Sequence, residues 1–259
     1  MSFFRSDDAF KVKVENLTKW FRVDGRPVQV LDHVTLGARE GEFVSLVGPS
    51  GSGKTTIFNI ICGLLRADEG RVSLDGRLLQ NRRGLVAYMP QKDALLPWRS
   101  VLDNVLLGAE VVGRDLGEAR SQALELLPEF GLAGFEDRYP HELSGGMRQR
   151  AALLRTYLLD RDVLLLDEPF GALDALTRRQ LQLWLMEVWE EHRKTILFVT
   201  HDVDEAIFVS DRIYALTARP ASVCCELGVG LPRPREVEVL SSPRFGALRA
   251  ELFRALRLS

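Results

Sequence analysis

The chain has 259 residues, 46% of them hydrophobic, and a formal net charge of −2. This length and apolar content can supply one large α/β domain with a smaller inserted one. The weakly acidic balance argues against nucleic acid as a main partner. No apolar run approaches the roughly 18 residues that a membrane-spanning helix needs, and residues 1–8 lack a signal-peptide core. Three cysteines, Cys62 and the adjacent Cys224 and Cys225, have neither disulfide nor metal-ligand spacing, which suits a reducing compartment.

The first predicted elements are strands. Residues 11 to about 45 show the pattern of short strands around a turn at Asp24-Gly25-Arg26-Pro27, which predicts an antiparallel sheet. The apolar run from Glu42 to Val47 predicts a buried strand, and Ile57 to Leu65 predicts a helix.

A phosphate-binding loop lies between that strand and that helix. It matches G-x-x-x-x-G-K-[ST] at every fixed position and consists of Gly48, Pro49, Ser50, Gly51, Ser52, Gly53, Lys54, Thr55 and Thr56. Its glycines allow successive N–H groups to point inward, and the following helix adds its positive end, which predicts a polyphosphate site. Lys54 supplies a charge to the outer phosphates, and the Thr55 hydroxyl can bind Mg²⁺. A dinucleotide-binding loop would need a third glycine where Thr56 stands.

The next region, from about Gln91 to Leu159, has helical spacing and ends in a second candidate anion site. Ser144 reads as an N-cap, Gly145 and Gly146 allow close backbone approach, and Met147 to Leu159 predicts the helix. One nucleotide cannot easily occupy two helix N-termini of one chain, so the sequence predicts a head-to-tail homodimer. The alternative is an ordinary capped helix start.

The second half of the chain adds two acids at a strand exit. The continuous apolar run Val163 to Leu166 predicts a strand buried on both faces, and Asp167 and Glu168 end it. Asp167 is a candidate Mg²⁺ partner, while Glu168 can polarise the attacking water as general base. A solvated strand exit is the alternative. Beyond it we expect a helix near 176–192, a strand at 195–200 and an amphipathic helix over 242–258, which we expect to pack on the protein rather than on a membrane.

These motifs together resemble the ATP-binding subunits of ABC transporters along nearly the whole chain. The resemblance rests on the phosphate loop, the strand with its acids, and Leu143-Ser144-Gly145-Gly146, which continues with Met147 where many relatives carry Gln. The remaining matches are Gln91 after Met89-Pro90, Ala172-Leu173-Asp174, His201 after the strand at 195–200, and the segment Leu17 to Phe21.

The resemblance implies a role for each matched residue, and each role has a plain structural alternative. Gln91 would offer a carbonyl oxygen to Mg²⁺, or be an ordinary loop residue. His201 would hydrogen-bond the γ-phosphate or the water, or be a structural histidine. Asp174 would lie across the dimer interface, or only cap a helix. Phe21 would stack on adenine, with Trp20 as the second candidate, or belong to the core.

The fold implied by the resemblance is a P-loop NTPase cassette of the α/β class. It would comprise an ATPase domain over residues 1–240, with a RecA-like core at 1–90 and 160–225 and an antiparallel β-subdomain. An α-helical subdomain would be inserted at about 91–159, and residues 226–259 would form a C-terminal extension. The implied cofactors are ATP and Mg²⁺. The implied partners are a second copy, transmembrane permease subunits and, indirectly, a solute-binding protein, which places the chain peripherally at the cytoplasmic membrane face.

Two further segments refine the implied function. Ala94-Leu95-Leu96-Pro97-Trp98 is an apolar loop that either docks a cytoplasmic helix of the permease or is buried in its own subdomain. The stretch Leu95 to Val105, and the tail Ala218-Arg219-Pro220 with Leu231-Pro232-Arg233-Pro234-Arg235, look like the nitrate, sulfonate and taurine importer branch. That branch includes importers of pyrimidine thiamine precursors. A soluble ABC-type ATPase without a permease and a nucleotide sensor that never turns over are the alternatives.

Overall fold

The structure is a computed structural model of the chain, and it describes residues 10–79, 83–171 and 173–257. The chain start considered above, Ala172 and Leu258 lie outside these ranges. Two compact units divide the chain: residues 1–83 with 186–259, and residues 84–185. Within the described residues, no helix is both long and apolar enough to cross a bilayer.

The first unit contains a four-stranded antiparallel sheet. Its strands are β1 (Phe10–Val23), β2 (Arg26–Arg39), β4 (Glu69–Leu74) and β5 (Arg77–Leu78), and their order in the sheet is β2-β1-β4-β5. The predicted antiparallel sheet is confirmed, but the two strands around the turn are each 14 residues long rather than short. Irregular register between β1 and β2 lets the long strands bend, because each bulge increases local twist.

The same unit contains the strands that position the phosphate loop. Strand β3 (Phe43–Val47) is fully buried and pairs in parallel with β8 (Thr195–Thr200) and β9 (Arg212–Leu216), while β10 (Val223–Gly228) pairs antiparallel with β9. The carboxyl ends of β3, β8 and β9 therefore lie at one sheet edge, where ligands bind in open α/β sheets.

The helices of this unit are α1 (Lys54–Ile61), α6 (Val203–Val209) and α7 (Pro243–Arg257). Helix α1 ends before the predicted Leu65 because Gly63 adopts a left-handed conformation, with φ at 72°. The prediction that the C-terminal helix packs on the protein is confirmed: Phe245, Leu248 and Leu252 are fully buried.

The second unit is mainly helical, as predicted for its middle. It contains β6 (Ala87–Met89), α2 (Val101–Val112), α3 (Leu116–Leu126), α4 (Gly145–Tyr157) and β7 (Val163–Asp167), and the unit boundary falls within α5 (Ala175–His192). Helix α4 begins before the predicted Met147, because the Ser144 hydroxyl caps it at the Met147 N–H. The predicted boundaries of the inserted subdomain stay a prediction.

Candidate functional site

The phosphate loop leaves the carboxyl end of β3 in a conformation that depends on glycine. Gly53 has φ at 112°, and a Cβ there would lie 2.8 Å from Leu31 Cδ2. A Cβ at Gly48 would lie 2.9 Å from the Leu216 carbonyl oxygen. Both positions therefore lack space for a larger side chain, and at Gly53 the positive φ would also strain any other residue. The loop leads directly into α1, whose N-cap is Gly53.

The interior of the loop is polar and nearly closed to solvent. Lys54 is 5% exposed, and its Nζ donates to the Gly48 and Pro49 carbonyl oxygens at 2.8 and 2.9 Å. The Ser52 hydroxyl is buried and has no hydrogen-bond partner among the described residues. A buried cation beside an unsatisfied hydroxyl is a site that fits an anionic, oxygen-rich ligand, because phosphate oxygens would accept from both groups.

His201 follows the strand beside β3. Val47 and Thr200 are register partners, so the phosphate loop and His201 leave the sheet as neighbours. The His201 side chain is exposed. The next residue, Asp202, caps α6: its Oδ1 accepts from the N–H groups of Asp204 and Glu205 at 2.9 and 3.1 Å.

Arg219 contacts the phosphate loop, which the sequence did not predict. It lies in the loop after β9, and its Nε donates to the Gly51 carbonyl oxygen. That loop is tied to β2, since Ala221 exchanges backbone hydrogen bonds with Val30 and Asp32 at 2.9 and 2.8 Å. The sequence marked Arg219 only as a feature of one family branch, because its partner is 168 positions away.

The two candidate adenine-stacking residues lie near the end of β1. Phe21 and Trp20 are both exposed, and Lys19 Nζ lies 5.6 Å from the centroid of the Phe21 ring. Both rings are accessible to a ligand, so the choice between them stays a prediction.

In the second unit, β6 and β7 bring together three predicted residues. Asp167 ends β7 and is buried, and the Tyr88 hydroxyl donates to its Oδ2 at 3.4 Å. Glu168 follows in the left-handed region of the backbone map, with φ at 47°. Gln91 Nε2 donates to Glu168 Oε2 at 3.1 Å. The sequence could not place Gln91 on Glu168, although the pairing of Met89 with Leu166 brings both strand ends together.

The signature segment, Leu143 to Gly146, forms the predicted capped helix N-terminus. Ser144 Oγ accepts from the Met147 N–H at 3.2 Å, and Gly145 is exposed. A Cβ at Gly146 would lie 3.3 Å from side-chain carbons of Leu173 and Thr177, so a small residue is favoured there. The structure therefore contains a second helix start in addition to that of α1, and this one is exposed at Ser144 and Gly145.

Asp174 takes the capping role that the sequence left as an alternative. Its Oδ1 accepts from the N–H groups of Leu176 and Thr177 at 3.1 and 3.0 Å, at the start of α5. Hydrogen bonds from Thr177 lower the pKa of the Asp174 carboxyl. A contact of this residue across a dimer interface stays a prediction.

The apolar loop after Gln91 is partly buried and partly exposed. Leu95 is buried, whereas Trp98 is 71% exposed. Asn104, which is fully buried, holds the loop through its side-chain amide. The amide oxygen accepts from the Leu96 N–H at 2.7 Å. The amide nitrogen donates to the carbonyl oxygens of Leu96, Arg99 and Ser100 at 2.9 to 3.1 Å. The loop therefore presents Trp98 from an ordered base.

Comparison with known proteins decides the family. The family model described as ABC transporter matches residues 31–171. The chain belongs to the ABC transporter family. It is 40% identical over 248 residues to a taurine import ATP-binding protein of Rhizobium johnstonii, a match that covers 93% of this chain and 94% of that protein. It is 42% identical over 209 residues to a formylaminopyrimidine import ATP-binding protein of Halalkalibacterium halodurans, covering 81% and 82% of the two chains.

A solved structure extends the comparison to three dimensions. This ABC chain is similar to a solved structure described as a dimeric post-hydrolysis state of an ATP-binding cassette bound to ADP and Pi. The TM-score is 0.75 and the sequence identity is 32%, and the match covers 85% of this chain and all of the other one. The predicted α/β cassette fold is confirmed, and the protein is an ATP-binding, ATP-hydrolysing subunit of the ABC type.

Proposed function

We propose that this ABC subunit binds ATP with Mg²⁺, hydrolyses it, and thereby powers the import of a small solute through membrane permease subunits. The observation that carries the proposal is the phosphate loop, with buried Lys54 and the unsatisfied Ser52 hydroxyl inside a glycine-dependent curl. This arrangement suits a polyphosphate, and the family to which the chain belongs supports ATP as that ligand.

The proposed binding step uses the loop and the strand β1. Backbone N–H groups of the loop surround the phosphates, and Lys54 exchanges the Gly48 and Pro49 carbonyls for outer phosphate oxygens. Phe21, or else Trp20, stacks on the adenine ring.

The proposed Mg²⁺ ligands are the Thr55 hydroxyl, the Gln91 carbonyl oxygen and, directly or through water, Asp167. These are hard oxygen donors, which Mg²⁺ prefers, so the residues present fit the ion. When bound, Mg²⁺ would neutralise charge on the β- and γ-phosphates. The hydrogen bond that Gln91 makes to Glu168 uses its amide nitrogen, not the oxygen assigned here to Mg²⁺.

The proposed hydrolysis step relies on Glu168 and His201. Glu168 accepts a proton from the attacking water, and its bond from Gln91 holds the carboxylate in one orientation. His201 hydrogen-bonds the γ-phosphate or the water. Lys54 stabilises the charge that develops on the transferred phosphoryl group.

The proposed active form is a homodimer with ATP at its interface. Ser144, Gly145 and Gly146 of one copy would close over the ATP held by the other, since their helix N-terminus is accessible. Asp174 would lie at the same interface. The dimeric state of the similar ADP-bound cassette supports this arrangement.

The proposed membrane partner is a permease that contacts the Trp98 loop. An exposed tryptophan on an ordered base is a feature of protein-binding surfaces. The subunit would then lie peripherally at the cytoplasmic face of the membrane and act with a solute-binding protein only indirectly. The solute would be taurine, a related sulfonate or nitrate, or a pyrimidine thiamine precursor. Two relatives are named for the import of taurine and of formylaminopyrimidine, which supports the taurine and pyrimidine alternatives.

The substitution Glu168→Gln tests the proposed chemistry. It keeps the shape of the side chain and removes the base, so we expect ATP affinity to be retained while phosphate release slows roughly 10²- to 10⁴-fold. Phosphate release and ATP binding are measured on the purified full chain. Glu125→Gln, an exposed change on α3, is the control. Hydrolysis by Glu168→Gln at a rate near that of the wild type would refute the assignment of the base.

A further inference from the structure

Helix α6 directly follows His201, and residues from the C-terminal part of the chain hold both of its ends. We use the name C-terminal segment for residues 229–257, which contain the end of the described chain and α7. The segment lies in the same unit as His201.

The C-terminal end of α6 is held by two arginines. Arg235 is 3% exposed, and its Nη1 donates to the carbonyl oxygens of Ile207, Phe208 and Ser210 at 3.1, 2.9 and 2.8 Å. Arg233 Nη2 donates to the Val209 carbonyl at 2.7 Å. Cations are favoured at this end because the last carbonyls of a helix carry partial negative charge. Burial lowers the pKa of Arg235 to about 10, so it remains a cation near neutral pH.

The N-terminal end of α6 is held by α7. Arg249 donates to both carboxylate oxygens of Asp204, from Nε at 2.5 Å and from Nη2 at 2.8 Å. Arg249 also lies over the ring of Phe245, at 5.3 Å from its centroid. Buried apolar residues of α7 anchor the helix that carries Arg249, so this contact has a fixed base.

The N-terminal end of α6, which Arg249 holds, also fixes the backbone of His201. Asp202 donates its N–H to Thr200 Oγ1 at 3.0 Å and caps the helix with its carboxylate. His201 therefore lies between the end of β8 and the first turn of α6. A movement of that turn would move the imidazole relative to the neighbouring phosphate loop.

We propose that the C-terminal segment positions His201 for ATP hydrolysis, and that the ion pair of Arg249 with Asp204 is the connection. The inference rests on the proposed role of His201. Arg249 is a positioning residue, not a catalytic one, because it acts through α6. Its side chain and that of Asp204 are 40% and 42% exposed, so the pair adds little to global stability.

The experiment compares Arg249→Ala with Arg249→Lys and with Arg254→Ala in the full chain. Arg254 lies on the same helix but donates only within it, to the Ala250 carbonyl, among the contacts found for the described residues. For Arg249→Ala we expect kcat for ATP hydrolysis to fall about tenfold, less than the roughly 100-fold that a 1 Å misplacement can cost. KM for ATP should change by less than about twofold, since binding is unaffected. Arg249→Lys should recover part of kcat, and Arg254→Ala should match the wild type.

The His201→Ala background separates positioning from general structural damage. If Arg249 acts through His201, Arg249→Ala should cause no further loss of kcat in that background. The same fold-loss in both backgrounds would overturn the inference. Normal hydrolysis by Arg249→Ala beside a defective His201→Ala would overturn the inference alone, whereas normal hydrolysis by His201→Ala would overturn the proposed role of the histidine as well. Asp204→Asn, which breaks the same pair, supplies a second variant should Arg249→Ala fail to fold.

Discussion

At the scale of single residues, the candidate site has two parts: a phosphate loop formed by consecutive residues, and hydrogen bonds between residues that lie far apart in the sequence. The phosphate loop is one contiguous stretch, so its chemistry could be predicted from Gly48 to Thr56 alone. The bond from Gln91 to Glu168 joins residues 77 positions apart, and that from Arg219 to Gly51 spans 168. No local pattern reports such contacts, because they depend on which strand ends are neighbours.

Lys54→Ala tests the loop at this scale. A lysine about 4 Å from a phosphate charge is worth roughly 4 kcal/mol at an effective dielectric near 20, before desolvation is subtracted. We therefore expect ATP affinity to fall by at least an order of magnitude, measured as a dissociation constant by titration calorimetry. Lys13→Ala, on β1, is the matched control. Unchanged affinity in Lys54→Ala would remove this lysine from the phosphate site.

At the scale of elements, several helices and strands followed from hydrophobic patterns, while their exact ends followed from local backbone chemistry. Strands β7 and β8 and helix α5 lie where the apolar patterns predict them. The ends of α1 and α4 differ, because Gly63 and the Ser144 cap decide them. The conformation of the loop that carries Trp98 could not be predicted. It depends on hydrogen bonds from buried Asn104 and from Arg155, which donates to the Asp93 and Ala94 carbonyls.

Trp98→Ala tests the loop that these residues hold. The side chain is mostly exposed, so its loss should leave thermal stability and basal ATP hydrolysis unchanged. Co-purification with the permease should decrease, because an exposed tryptophan is a typical interface anchor. Val111→Ala, an exposed apolar change on α2, is the control. Full assembly of Trp98→Ala with the permease would exclude this surface as the contact.

At the scale of the whole molecule, the motifs are distributed over both compact units. One unit holds the phosphate loop and His201, and the other holds Gln91, the two acids and the signature segment. Each unit also has a helix start of the kind that binds anions, at α1 and at α4. Two such ends in one chain are the reason to expect a second copy, a conclusion that the sequence already favoured from Ser144 to Gly146.

Sedimentation of the Glu168→Gln chain with and without ATP–Mg²⁺ tests this central claim most directly. The variant should bind ATP without cleaving it, so the ATP-bound dimer should accumulate. The account predicts a monomer without nucleotide and a dimer with ATP, and a Ser144→Arg change in the same chain should prevent that shift by filling the helix start. A strict monomer at saturating ATP would contradict the account.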